Sequence, residues 1–187
     1  MLGVIPVSCF LRNMQQSELS LVHHGLGPQG TAALAVPLVT NTFILKLNLR
    51  DNWMEGVGGA AVADMLKENS YFFLSEIDLS ENQLGQYGVK AVSSMLLENT
   101  TLVSLNLSGN GLEEKAAEHL AEAVTRNQNL QHLDLSHNRL GETKKKLPRS
   151  QTLSLSLYSQ NNPTSKLRQP PGDKKHWQLP PSVLPTT

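Results

Sequence analysis

The chain holds a single cysteine, Cys9, so no internal disulfide can form. That excludes the disulfide-stapled frameworks of small secreted domains and the Cys-capped secreted repeat proteins, and it points to a reducing compartment, cytoplasmic or nuclear. Long apolar runs are also missing. None approaches the roughly 18 residues that a membrane-spanning helix needs, so no membrane span is expected. The apolar start Leu2–Phe10 has no basic flank before it, which argues against a secretory signal. Net charge is zero over the 187 residues, but the balance is uneven. Residues 1–140 carry eight Lys and Arg against fourteen Asp and Glu, and residues 141–187 carry eight against two. The two parts are different kinds of polymer.

What is present is a repeat. The stretch Leu102–Leu112, LVSLNLSGNGL, recurs with substitutions. Aligned on Asn110, the same position is held by His24, Asn52, Asn82 and Asn138, with steps of 28 or 30 residues. The apolar positions before each anchor match as well: Ile44, Leu47 and Leu49; Leu74, Ile77 and Leu79; Leu102, Leu105 and Leu107; Leu130, Leu133 and Leu135. Two residues after the anchor stands Leu26, Met54, Leu84, Leu112 or Leu140. Self-similarity at such a period is the mark of a stacked repeat architecture, and this pattern resembles the leucine-rich repeat of ribonuclease-inhibitor type. Within that family the repeats are similar to the leucine-rich-repeat-containing protein 74 group.

Hydrophobic period changes within each repeat. Leu105-Asn106-Leu107 alternates with period 2, as a short strand does. After the anchor the period becomes 3.6, so Gly88, Val89, Val92, Met95 and Leu96 share one helix face while Lys90 and Glu98 fall outside. Strands are expected near 19–21, 47–49, 77–79, 105–107 and 133–135, and helices near 28–40, 56–68, 86–98 and 114–126. Gly30, Gly58, Gly88 and Ala116 recur where the helix is expected to approach the strand closely. A second column, Asn13, Asn41, Asn69, Asn99 and Asn127, suits helix C-termini, where Asn tolerates the left-handed conformation. Pro37 should kink or shorten the first full helix. Two extra residues place a bulged loop at Ser70–Phe73.

Each strand follows its helix with the same hand, so the strands are parallel. Parallel strands pack about 4.8 Å apart and helices about 8–10 Å apart, so one stack must curve with its strands inside. The expected fold is an α/β leucine-rich-repeat solenoid, a horseshoe arc with parallel strands concave and helices convex. The repeat domain is expected to span 1–142: a partial repeat over 1–15, repeats from about 16, 44, 74 and 102, and a partial repeat over 130–142. Leu2–Asn13 reads as the helical half of a repeat without its strand.

The repeat ends near Gly141. A further repeat would need Asn near 155 and 166, where Leu155 and Lys166 stand instead. Residues 143–187 contain Lys144–Lys146 and seven prolines and read as a basic, Pro-rich, mostly disordered tail. Thr152–Tyr158 alternates leucines with polar residues as a strand would and is the nearby segment suited to cover the open end of the arc; the competing reading is a fully disordered tail with a frayed last repeat. A break in mid-repeat without a polar terminal unit fits a truncated or alternatively spliced chain.

Catalytic and cofactor patterns are weak. Gly25–Gly30 spells GxGxxG between a strand and a helix, as a dinucleotide site would. The plainer reading is a repeat turn, since Leu26-Gly27-x-x-Gly30 matches Leu84-Gly85-x-x-Gly88. His23-His24, His132 and His137 have no Cys or carboxylate partners at zinc-site spacing, and no nucleophile elbow is present. No catalytic residue, cofactor or metal is therefore expected, and the chain reads as a non-enzyme. Lys144–Lys146 is too short and too free of aromatics to predict nucleic-acid binding.

The family resemblance implies that Asn52, Asn82, Asn110 and Asn138 bond buried backbone groups where the chain leaves each strand; the amide supplies both donors and an acceptor for this. With the leucines inside, the residues between them face the concave side. The candidate protein-binding residues are Lys46, Asn48, Arg50, Glu76, Asp78, Ser104, Asn106, His132 and Asp134; the competing reading is a plain solvated sheet face. The resemblance implies a non-catalytic interaction module or scaffold that binds a protein partner. Two alternatives remain: a regulator of enzyme activity such as a small-GTPase activator, and a non-functional truncated isoform.

Overall fold

The computed structural model describes residues 12–68 and 74–140 and the backbone of Lys166–Arg168. Five three-residue parallel strands make up the repeat part of a six-stranded sheet: β1 (Glu18–Ser20), β2 (Lys46–Asn48), β3 (Glu76–Asp78), β4 (Ser104–Asn106) and β5 (His132–Asp134). They alternate with the helices α1 (Gly27–Leu38), α2 (Glu55–Glu68), α3 (Gly85–Glu98) and α4 (Glu114–Arg126). Strand order follows chain order, and the register sets Leu19, Leu47, Ile77, Leu105 and Leu133 side by side. This is the α/β solenoid expected from the repeat. Each strand begins one residue earlier than the leucine pattern placed it, because pairing already includes the outward residue before the first strand leucine, as in the bond from the Lys46 N–H to the Ser17 carbonyl at 3.0 Å.

The leucine columns close into one core. Leu47, Leu49, Ile77, Leu79, Leu105, Leu107, Leu133 and Leu135 are all buried, as are Val89, Val92, Met95 and Leu96 on the inner face of α3. The turn residues Leu26, Met54, Leu84, Leu112 and Leu140 join them. Charge ties adjacent helices on the outside, where Lys67 of α2 reaches the Ser94 hydroxyl at 2.8 Å and the Glu98 carboxylate at 3.3 Å on α3.

Four anchor asparagines link the repeats from within. Asn110 donates to the carbonyls of Leu79 (2.9 Å) and Ser108 (3.2 Å), and its Oδ1 accepts from the N–H groups of Asn82 (3.1 Å) and Leu84 (3.2 Å). Asn52, Asn82 and Asn138 repeat the arrangement, and all four are buried. His24, in the same column, donates from Nδ1 to the Val22 carbonyl at 2.9 Å, closing its turn locally.

Several local expectations are corrected. The second asparagine column does not end helices in the left-handed conformation: Asn99 and Asn127 have φ of −74° and −72° with extended ψ. Their side chains explain the choice instead. Asn127 Oδ1 accepts from Asn129 and Leu130, and its Nδ2 donates back to Leu96 and Asn99. Left-handed residues flank the first column, at His23, Asp51, Glu81, Gly109 and His137 before the anchors and Gly25, Trp53, Gln83 and Gly111 after them. Gly25 and Gly27 of the GxGxxG stretch, at φ of +60° and +62°, belong to this turn. The small-residue column approaches the turn and the neighbouring helix, rather than the strand. A Cβ on Gly58 would lie 2.6 Å from the Met54 Cβ, and one on Gly88 would lie 3.2 Å from the Gly56 Cα.

Pro37 lies in the last turn of α1, which is shortened to 12 residues against 14 in α2 and α3. Of the N-terminal half-repeat only residues 12 and 13 are described, and both are helical. Asn69, the Ser70–Phe73 loop and Thr152–Tyr158 lie outside the described residues. Within the span read as a disordered tail, Lys166–Arg168 forms a sixth strand, β6, paired antiparallel with β5.

Two substitutions test this packing. Leu105→Ala removes a buried strand leucine and is expected to cost roughly 2–5 kcal/mol, whereas Ser104→Ala, half-exposed on the other face, should be nearly neutral. Asn110→Ala removes a partner from four backbone groups and leaves three of them unsatisfied, since the Ser108 carbonyl keeps the Glu81 N–H at 2.9 Å; at about 1–3 kcal/mol for each group left unsatisfied its loss should at least match that of Leu105→Ala. Urea midpoints of the three variants measure both.

Candidate concave binding face

Alternation along each strand settles which side chains face outward. Leu19, Leu47, Ile77, Leu105 and Leu133 point into the core, so their neighbours stand on the opposite face. Parallel register aligns these neighbours in rows: Glu18, Lys46, Glu76, Ser104 and His132, then Ser20, Asn48, Asp78, Asn106 and Asp134. A depression of about 270 Å³ lies between them, bounded by Glu18, Lys46, Asn48, Glu76, Asp78, Ser104 and Asn106, with Leu47 and Ile77 also lining it. Six of the nine candidates therefore share one concavity. Arg50, His132 and Asp134 lie outside its lining.

The polar groups are partly committed already. Lys46 Nζ and Glu76 Oε1 are 2.9 Å apart across β2 and β3, with both side chains about half exposed. The Glu76 carboxylate, first as hydrogen-bond acceptor and then as opposing charge, holds the Lys46 ammonium above its ordinary range. In water such a pair contributes little stability, but it fixes two long side chains over the sheet. The second row turns the chain. Asn48, Asp78, Asn106 and Asp134 each accept, through Oδ1, the N–H two residues ahead, at 2.8–3.0 Å. Asp78 also accepts from the Ser80 hydroxyl at 2.6 Å and, through its other oxygen, from Asn106 Nδ2 at 3.2 Å. These four residues shape the exit from the strand as well as the face. Arg50 is exposed, and no described residue hydrogen-bonds its guanidinium.

Electrostatically the depression is acidic. Glu18, Glu76 and Asp78 surround one ammonium, that of Lys46. Asp51 and Glu81 stand at the next turns, with Asp51 paired to His23.

The leucine pattern did not single out the rim where the chain passes from strand to helix. Trp53, Val57 and Tyr87 are exposed there by 63%, 59% and 65%. A Cβ on Gly56 would come within 3.0 Å of Tyr87 Cδ1, so the Tyr87 ring lies over the start of α2. The available signal was a break in the columns: Trp53 shares its position with Gly25, Gln83 and Gly111, and Val57 and Tyr87 share theirs with Gln29 and Lys115. No described helix is long and apolar enough to cross a membrane.

Comparison with known proteins places these repeats. The family described as "Leucine Rich repeat" matches residues 40–63, 98–121 and 126–143. Leucine-rich repeat-containing protein 74B of Mus musculus is 57% identical over 42 residues, covering 22% of this chain and 11% of that protein. Ribonuclease inhibitor of Sus scrofa is 28% identical over 143 residues, 75% of this chain and 30% of the relative. RAN GTPase-activating protein 2 of Arabidopsis thaliana is 28% identical over 104 residues, 56% and 19% respectively. The chain thus spans a minor part of the curated relatives it matches. Among solved structures, Leiomodin-1 Actin-Binding Site 2 superposes with a TM-score of 0.58 at 21% identity, covering 67% of this chain and 75% of that one, a likeness of fold. The leucine columns, the buried asparagines and these relatives agree: the chain is a leucine-rich-repeat protein of the ribonuclease-inhibitor type.

Proposed function

We propose that this chain is a non-catalytic interaction module that binds a protein partner through the concave face of the sheet, in the cytoplasm or nucleus. The observation that carries the reading is the depression over β1–β4, where Lys46, Asn48, Glu76, Asp78, Ser104 and Asn106 converge on an open, polar surface above a rigid sheet. Its acidic balance favours a partner segment that presents basic side chains. Arg50, His132 and Asp134 extend the contact beyond the depression. Five strands at about 4.8 Å spacing span only about 20 Å, and a standard interface covers about 800 Å² on each partner. The sheet alone falls short of that area. The apolar rim of Trp53, Val57 and Tyr87 supplies the rest, since exposed aromatics of this kind are enriched among interface anchors.

A second reading, activation of a small GTPase, is favoured by the matched segment of RAN GTPase-activating protein 2. The first reading predicts no acceleration of GTP hydrolysis when the purified chain is added to a small GTPase; marked acceleration would replace it with the second.

Binding itself is tested by affinity purification with the full chain as bait, followed by mass spectrometry. A partner captured by the native chain should be lost with the pair Arg50→Glu and Ser104→Arg, because neither side chain is hydrogen-bonded within the described residues. Trp53→Ala with Tyr87→Ala should weaken the same partner. Retention by both double variants moves the site to the helical face. In parallel, Asp78→Ala should lower stability by about 1 kcal/mol through its lost turn bonds, while Arg50→Glu leaves the urea midpoint nearly unchanged; this separates residues that shape the face from residues that read the partner.

A further inference from the structure

The last repeat presents a problem that the earlier ones do not have. β1 to β4 each have the next repeat's parallel strand beside them, but β5 is the last strand of that parallel series. The Leu107 N–H donates to the Asp134 carbonyl at 2.8 Å, and the His132 N–H donates to the Val103 carbonyl at 3.0 Å. Backbone groups alternate in direction along a strand, so the N–H and C=O of Leu133 point away from β4, toward the open edge. An unpaired edge of this kind is a template for strand addition.

β6 occupies it. Lys166–Arg168 pairs antiparallel with β5, and the register sets Leu167 opposite Leu133, Lys166 opposite Asp134 and Arg168 opposite His132. A parallel neighbour would require a full repeat, with its own helix and anchor asparagine. An antiparallel segment needs neither, and the residues between Leu140 and Lys166 are ample to let the chain reverse. Charge agrees with the placement: residues 141–187 are strongly basic and residues 1–140 strongly acidic. A three-residue strand with Lys and Arg at its ends is itself a poor template for further addition.

We propose that Lys166–Arg168 is a closing strand, which occupies the strand-addition edge of β5 in cis and keeps copies of this chain from associating through it. The occupant is the chain's own basic segment, held by backbone pairing at Leu133. With three paired residues among those described, the strand detaches without unfolding the repeats, and the same edge then becomes available to a second copy.

The test compares the full-length chain with its Leu167→Pro variant, which removes the N–H opposite Leu133 and leaves every residue of the repeats in place. Amide hydrogen exchange is read at Leu133, with Leu107, inside the sheet, as the reference. The proposal expects Leu133 to exchange at least tenfold faster in the variant, Leu107 to be unchanged, and sedimentation to show concentration-dependent self-association in the variant alone. A synthetic peptide spanning residues 162–172, added to the variant, should restore both protection and the monomer. Equal exchange at Leu133 in the two proteins would overturn the pairing. Parallel loss of protection at Leu107 would overturn a detachable strand, and a variant that stays monomeric with Leu133 exposed would overturn the protective role.

Discussion

Each anchor asparagine carries two donors and an acceptor into a place that water does not reach. A buried amide is costly unless its groups are paired, and here the partners lie in the same turn and in the repeat before it. Asn110 illustrates the consequence: its side chain binds Leu79, Asn82 and Leu84 of the preceding repeat and Ser108 of its own. One residue thereby fixes where a strand ends, how the chain turns and how far the neighbouring repeat stands away. The left-handed backbone at Asp51, Trp53, Glu81 and Gln83 follows from this. Such conformations are unfavourable for residues other than glycine and persist where the surroundings over-determine them.

The second asparagine column does the same work at the other end of the helix. Asn41, Asn99 and Asn127 accept from the backbone N–H groups two and three residues ahead and donate backward across the repeat boundary. Both junctions of a repeat, strand to helix and helix to strand, are thus closed by the same chemistry. Between them the leucines need only be apolar and of the right size, which is why Met54, Ile77 and Val124 substitute freely within their columns.

Rigid junctions make the concave face a surface with fixed spacing. Side chains there are not equally free. Asn48, Asp78, Asn106 and Asp134 are engaged in the turn after each strand, and Lys46 is engaged with Glu76. A polar face therefore divides into residues that hold the shape and residues, such as Arg50 and Ser104, whose side chains make no hydrogen bond among the described residues. The far edge obeys a different rule. Among the described residues no parallel strand follows β5, and a short antiparallel strand drawn from the basic segment pairs with it instead.

The sequence alone carries the repeat, the alternation of strand and helix, the inward leucines and the outward positions between them, because each is a local pattern whose period equals a backbone geometry; the bonding of the anchor asparagines to buried backbone was implied by the family resemblance. The sequence determined helix limits closely and strand limits to within one residue for the same reason of period. Tertiary structure decided what depends on neighbours 26 to 33 residues away. Asn99 and Asn127 were legible as special but not as extended residues, since their bonds across repeats outweigh a local preference for the left-handed region. Gly58 and Gly88 were legible as close contacts, but only packing shows that the contact is with Met54 and with Gly56 rather than with a strand. The Lys46–Glu76 pair arises from parallel register. Tyr87 reaches the start of α2 only because α2 and α3 lie side by side. Lys166–Arg168 carries no repeat signature at all, and its pairing with β5 is fixed by the one thing a linear pattern does not display: which backbone groups the fold has left unpaired.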